Sequence, residues 1–545
     1  MSINVVAENA IPGTYTLQQM LPGSPTGDMS VAGFCRSPSK NIGETIQFSV
    51  DGPATVIRIF RMGYYNGINF REVDTIVNTP TTQPAPTVIP NSNGATSASN
   101  WSVTAEWDIP LTAVSGIYFA MIRNAANNDA FYAGPFVVRD DSAEADIIYK
   151  TSDATWGSAY NYYGTKATPR GKNFYGIGGV GNIMERAYAA SYHRPILTRG
   201  EVIQTYIWAC ELPLVAFLER NGYSVKYITS VDLDQQGVSI LNNGKIFLSS
   251  GHDEYWSQNM WDAAESFRDD TGGHSIFMSG NEVFWRTRFE YDGDEVIQWC
   301  YKDTMPGPAG VTRNPGEPLD PVTWTGTWID TRWVGGTPTE ELTNTRFGMN
   351  GVYDYDAIVP WSNHKVWWAS PLHDLPMASL TIPQVIGFEA DHLTQVGPDE
   401  SFRVLANYTR SAPGGLSDAN GQRYDIPGNI EWGIGSRRFE SGAVTVGFGT
   451  CQWAWSLDTT HERGFGVPAN DSARQFTINL LNDLGAAPGT LMAGRSLLPV
   501  NSLNEYGLIP GAEPPSDSRW EDAAGNTLTP YLLDGDTLVP LDTVL

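Results

Sequence analysis

The feature that most constrains this chain is a change of hydrophobic period near residue 143. Upstream, ETIQFSV (44–50) and ATVIRIFRMGYY (54–65) alternate apolar and polar side chains, and SGIYFAMIRN (115–124) and FYAGPFVV (131–138) follow. A period of two fits the pleat of a strand with one buried face. Asp51-Gly52 and Asn66-Gly67 supply turns. Short strands at this spacing predict an immunoglobulin-like β-sandwich over residues 1–142. The Pro-, Thr-, Ser- and Asn-rich stretch 79–100 reads as a long loop inside it, and the acidic RDDSAEAD (139–146) as a linker.

Beyond 147, short apolar runs alternate with helical patterns. The runs are IIYKT (147–151), YSVKYI (223–228), KIFLSS (245–250), SIFMS (275–279) and AVTVGF (443–448). Between them, residues 201–221 place Leu214, Phe217 and Leu218 at helical spacing before Gly222, and 257–268 place Met260, Ala264 and Phe267 on one face. A helix over 472–484 buries Phe476, Leu480, Leu481 and Leu484, with Asp471 or Ser472 as its cap and Gly485 as its stop. This grammar predicts a mainly parallel α/β sheet over 143–487. A Trp-, Gly- and Pro-rich stretch of about 290–435 breaks it and reads as a large β-rich insertion of turns and short strands. Residues 488–545 are Pro-rich and aperiodic. Leu528-Thr529-Pro530 and Leu538-Val539-Pro540 recur ten residues apart, which predicts an extended tail, packed as an arm on another chain or flexible.

Charge narrows the partners. With 34 basic and 60 acidic residues the net charge is −26, which repels nucleic acid and anionic membranes. No run of 18 apolar residues exists, so no membrane span is expected. The start, MSINVVAENAIPGTY, lacks the basic and apolar regions of a secretory signal, so a cytoplasmic or particle-associated location is expected. Cys35, Cys210, Cys300 and Cys451 lie scattered without a CxxC pair, which argues against a zinc knuckle or disulfide framework and for buried thiols. Seven histidines leave any metal site dependent on oxygen ligands.

Ligands collect at the C-terminal ends of strands in an open parallel sheet. After KIFLSS comes GHDEYW with His252, Asp253 and Glu254; after SIFMS comes GNEVFWRTR with Glu282, Arg286 and Arg288. After IIYKT comes SDATWGSAYNYYG with Asp153, Tyr160, Tyr162 and Tyr163, and after AVTVGF comes GTCQWAWSLD. Each residue alone fits a hydrogen-bonded loop; together, at one rim, they point to chemistry. His252 and Glu254 stand at i and i+2, the same side of an extended loop. Glu254 can ligate a hard metal and His252 can move protons. The chain lacks GxSxG, HExxH, a Walker A loop and a GxGxxG after its first α/β strand, and the Gly-rich GIGGVGN (176–182) reads as a loop.

The run SDATWGSAYNYYG, ERAYAASYHRP (185–195), ELPLVAFLERNGY (211–223), FLSSGHDEYW, SGNEVFWRTR, GFGTCQWAWSLD and QFTINLLNDLG resembles the large subunit of N,N-dimethylformamidase over about 143–487. ENAIPGT and FRMGYYNG upstream resemble the module that precedes it. The resemblance implies a glutamine amidotransferase-like α/β fold without its catalytic cysteine, and a mononuclear, ferric iron held by two tyrosines and a glutamate. Carried over by motif, Glu254 is the glutamate ligand and His252 the neighbouring catalytic histidine. Tyr192 and Tyr160 are the tyrosine ligands, with Tyr162 or Tyr163 as alternatives to Tyr160, and Glu389 of GFEAD is a second active-site glutamate. Two functions follow. One is iron-dependent hydrolysis of small amides; the other is a non-enzymatic structural or binding role in a larger assembly, such as a phage tail or virion, on an inherited enzyme fold. The tail would then mediate a homo-oligomer or a larger particle.

Overall fold

A computed structural model describes residues 4–21, 30–126, 130–157, 172–177, 185–196, 206–302, 325–329, 338–351, 354–360, 379–398, 401–417, 423, 425–462, 468–495 and 497, together with short strands between 520 and 540. Among these residues the fold is β-rich, with several sheets and few helices. No helix among them is long and apolar enough to cross a membrane.

Two sheets share one core between residues 32 and 139. A three-stranded sheet joins Ala32–Cys35, Thr45–Asp51 and Ala105–Asp108; a five-stranded sheet runs in the order Ser39–Asn41, Ala130–Arg139, Gly116–Asn124, Thr55–Met62, Phe70–Asn78. The two-residue period explains the packing. Ile57 and Ile59 are buried while Val56 and Arg58, which alternate with them, are partly exposed. Ile46, Phe48 and Val50 from the smaller sheet meet Ile57, Ile59, Ile122 and Phe136 from the larger. The loop expected over 79–100 contains a short pairing of Thr87–Val88 with Thr96–Ser97.

The second large sheet positions the site. Five strands run parallel in the order Val225–Ile228, Ile147–Lys150, Ile246–Ser250, His274–Met278, Val444–Gly447. Almost all of their residues are buried, as expected of parallel strands covered on both faces. Helices Ile207–Arg220, Gln258–Asp269 and Asp471–Asp483 stand where the apolar spacing placed them. The last is capped by Asn470 instead of Asp471 or Ser472: its Oδ1 accepts from the amides of Ser472 and Ala473, both at 3.0 Å.

The stretch read as turns and short strands differs from expectation. It carries the two longest strands among the described residues, Phe402–Leu416 and Ile426–Arg438: the second extends the same sheet antiparallel to Val444–Gly447, and the first pairs antiparallel to the second. Register shifts near Val404 and Ala412, and glycines at 428, 433 and 435, interrupt the visible two-residue period. At the other end, Gly489 and Thr490 donate backbone bonds to Gly222 and Asn221, both at 3.0 Å. Residues 501–545 form a separate unit, in which the described residues make two short hairpins, Trp520–Glu521 with Thr527–Leu528 and Tyr531–Asp534 with Thr537–Pro540.

Arg61 on the sandwich strand Thr55–Met62 joins the two layers by a fully buried pair with Glu219 of helix Ile207–Arg220, at 2.7 and 2.9 Å. Asn9 and Tyr227 also donate to Glu219, at 2.8 and 3.1 Å. Removing one partner of a buried pair leaves an uncompensated charge. Glu219→Ala should therefore lower the unfolding free energy in denaturant by about 3–5 kcal/mol, and Arg61→Met with Glu219→Leu should cost less than that single change. A loss below about 1 kcal/mol for Glu219→Ala, the scale of an exposed pair, would mean the pair does not join the layers.

Candidate functional site

The site is built at the C-terminal rim of the parallel strands, beginning with Gly251. Its φ is +87°, and a Cβ there would stand 2.7 Å from Ser152 Oγ and 2.8 Å from Glu211 Cγ. Glycine alone lets the chain turn sharply off the Ile246–Ser250 strand. Asp253 then goes to Lys150, whose Nζ lies 2.8 Å from each carboxylate oxygen. Its neighbours His252 and Glu254 converge on a different residue, Glu389. His252 Nε2 is 3.0 Å from Glu389 Oε2 and 3.8 Å from Glu254 Oε2. One ligand atom from each of the three lies within 4.8 Å of the others, and all three side chains are buried. Such a group can hold a metal ion.

The neighbouring turn is strained to meet this geometry. Asn281, Val283 and Glu389 have φ of +50°, +53° and +30°, a region that side chains avoid and a β-branched valine avoids most. Asn281 Nδ2 donates to Glu389 Oε2 at 2.5 Å. The amides of Val283, Phe284 and Trp285 bond the carbonyls of Asp253 and Glu254 at 2.9–3.1 Å. A Cβ on Gly280 would sit 2.3 Å from the Glu389 carbonyl oxygen, so the two loops touch backbone to backbone.

Electrostatics favour a positive charge at this point. Burial alone would depress the His252 imidazolium, but the hydrogen bond to Glu389 and the charges of Glu389 and Glu254 hold it up to about 10. Burial pushes the Glu254 carboxyl upward, opposed by Lys302, His252 and the Tyr175 hydroxyl. Glu254 Oε1 accepts from Tyr175 Oη at 2.9 Å and Trp285 Nε1 at 2.8 Å. Lys302 is fully buried, its Nζ 3.8, 4.2 and 4.9 Å from the ring centres of Tyr175, Trp285 and Tyr255. Burial lowers its ammonium to about 8, against the pull of Glu254.

The structure thus brings together His252, Glu254 and Glu389. Tyr192 hydrogen-bonds Asp153 Oδ2 at 3.0 Å, and the tyrosine seen on Glu254 is Tyr175. Tyr160, Tyr162 and Tyr163 lie outside the described residues. Sequence reasoning missed Tyr175 and Lys302. Tyr175 sits in NFYGIGG, whose glycines read as a plain loop, and Lys302 follows Cys300-Tyr301 where the strand–helix period has lapsed. Neither carries a local signal.

A family profile described as N,N-dimethylformamidase beta subunit-like, C-terminal, matches residues 56–466, a span that includes all five of these site residues. The N,N-dimethylformamidase beta subunit of Paracoccus aminophilus is 33% identical over 100 residues, 17% of this chain and 13% of that protein. The N,N-dimethylformamidase beta subunit of Alcaligenes sp is 32% identical over 100 residues with the same coverage. The chain therefore spans 13% of the length of either relative. These matches give the particle-component alternative no support.

Gly251 offers a test of the rim that leaves every polar group in place. Gly251→Ala adds one methyl in a left-handed conformation against Ser152 and Glu211. It should lower stability in denaturant unfolding by about 1–3 kcal/mol. A neutral result would show that the turn off the strand is not constrained as described.

Proposed function

The chain belongs to the N,N-dimethylformamidase beta subunit-like family, and on that premise we propose that it hydrolyses small amides with one metal ion, iron, held through Glu254 beside His252 and Glu389. The observation that carries this is the convergence of those three buried side chains. The residues fit such an ion. Two carboxylates and the Tyr175 phenol are hard oxygen donors suited to a ferric centre, and the pocket already sustains a buried positive charge on His252. We assign Glu254 and Tyr175 as ligands, with Tyr160 as the second tyrosine by resemblance. Tyr192 we assign to holding Asp153, to which it is hydrogen-bonded.

When bound, a ferric ion supplies Lewis acidity towards an amide carbonyl and a water molecule. The protein's own residues then handle the proton. Beside a bound cation His252 gives up the proton it otherwise holds, so the neutral imidazole takes the water's proton and passes it to the amine nitrogen as the C–O bond forms and the C–N bond breaks. Glu389, 3.0 Å away, holds the imidazolium between those steps. Trp285 and Tyr175 fix Glu254, and Lys302 offsets its charge. Phe388, edge-on to His252 with ring centres 5.3 Å apart, gives the pocket an apolar wall suited to a small alkylated amide.

The five parallel strands with flanking helices support an amidotransferase-like reading of this region, and the facing sheets upstream an immunoglobulin-like one. The relatives bear the name of a beta subunit, so we also propose that this chain works in an assembly with another chain.

Variants separate the roles. Glu254→Gln should lose most bound iron in elemental analysis, because an anionic ligand is gone. His252→Ala should keep iron but lose turnover of simple formamides by about 10²–10⁴-fold, the range of proton-transfer catalysis. Iron retained in full by Glu254→Gln, or parental turnover in both variants, would contradict the proposal. Protons on His252 and Glu254 also compete with the metal. Its apparent affinity should therefore fall with falling pH, about tenfold per unit for each proton displaced; a pH-independent affinity would place the ion elsewhere.

A further inference from the structure

Beneath the site runs a line of four buried side chains that this mechanism does not use: Lys150, Asp253, Ser249 and Glu282. Lys150 Nζ lies 2.8 Å from both oxygens of Asp253. Ser249 Oγ lies 2.6 Å from Asp253 Oδ2 and 2.5 Å from Glu282 Oε1. A hydroxyl carries one hydrogen and can donate to one carboxylate only. The second contact, oxygen to oxygen, needs a proton of its own. Asp253 faces an ammonium group with both oxygens and is the natural anion, so the extra proton belongs on the other acid.

We infer that Glu282 is a neutral carboxylic acid that donates to Ser249 Oγ, completing a relay to Asp253 and Lys150, and that it is a positioning residue for the rim. The four groups then sum to zero charge. Burial, with the charges of Asp253 and Asp391, also favours the protonated form, against the Ser249 hydrogen bond and Lys150. The position of Glu282 gives the proton a purpose. On one side Asn281 holds Glu389, and on the other Val283 bonds the Asp253 carbonyl at 3.1 Å. Both flanking residues are in the left-handed region. The acid pins the middle of a strained turn that sets Glu389 against His252. The positioning role rests on the reading that His252, Glu254 and Glu389 form the site; the protonation does not.

Infrared spectroscopy of the metal-free full chain tests this through the C=O stretch of a protonated carboxylic acid. At about pH 9, Glu211 and Asp391, each pushed up to about 7, are ionised. The parent should keep a carboxylic acid band that Glu282→Gln lacks. Gln can donate to Ser249 as the acid does, so this variant should melt within about 3 °C of the parent. Glu282→Ala, which leaves no donor, should melt clearly lower. A parent-minus-Glu282→Gln difference spectrum without a carboxylic acid band, or equal destabilisation of the two variants, would overturn the inference. Should Glu282→Gln fail to fold, the parent labelled with [13C]glutamate answers instead: the band should shift, and an unmoved band would overturn the inference. A lost band in a protein that never binds iron would leave this inference standing and defeat the proposed function. Iron binding with the band retained would do the reverse.

Discussion

The arrangement turns on the buried pair of Lys150 and Asp253. Both side chains are inaccessible to solvent, and each would cost several kcal/mol to bury alone. Their mutual contact, with the Ser249 and Ser230 hydroxyls, fixes the direction of Asp253. In a short loop that also fixes its neighbours. With Asp253 committed to Lys150 in the adjacent strand, His252 and Glu254 are left to converge on Glu389. The cluster proposed as the site is thus positioned by a charge pair that lies outside it.

The third member comes from far along the chain. Glu389 lies at the tip between Ser379–Gly387 and Ala390–Leu393, in the stretch whose sequence period lapses. That stretch is joined to the main sheet through Ile426–Arg438 on Val444–Gly447. Its strands therefore carry the residue that faces His252, and the cluster depends on the whole nine-stranded order. Strain at Asn281, Val283 and Glu389 is consistent with this: the backbone adopts costly conformations where two loops must meet.

Much of this was legible in sequence where the period was regular. Ile57 and Ile59 announced a half-buried strand, and Phe476, Leu480 and Leu481 a buried helical stripe, because one face alone meets the core. The His252-x-Glu254 spacing after KIFLSS placed two site residues from strand order alone. Glu389 came from the resemblance, since a glutamate in GFEAD has no distinguishing local pattern. Tyr175 and Lys302 were illegible for a stronger reason: their roles exist only through the rings and carboxylate they meet in three dimensions. Asn470 was missed as a cap because Asp471 and Ser472 beside it are equally good candidates by type.

The central claim is that the rim binds an iron ion through Glu254. The most direct measurement is an anomalous-difference electron-density map of iron-loaded crystals, collected across the iron absorption edge. The account predicts one strong peak in the pocket, with oxygens of Glu254 and Tyr175 at about 2 Å, the range of carboxylate–metal distances, and His252 within hydrogen-bonding reach of Glu389. A map with no peak in this pocket, or a peak that Glu254 does not touch, would contradict it.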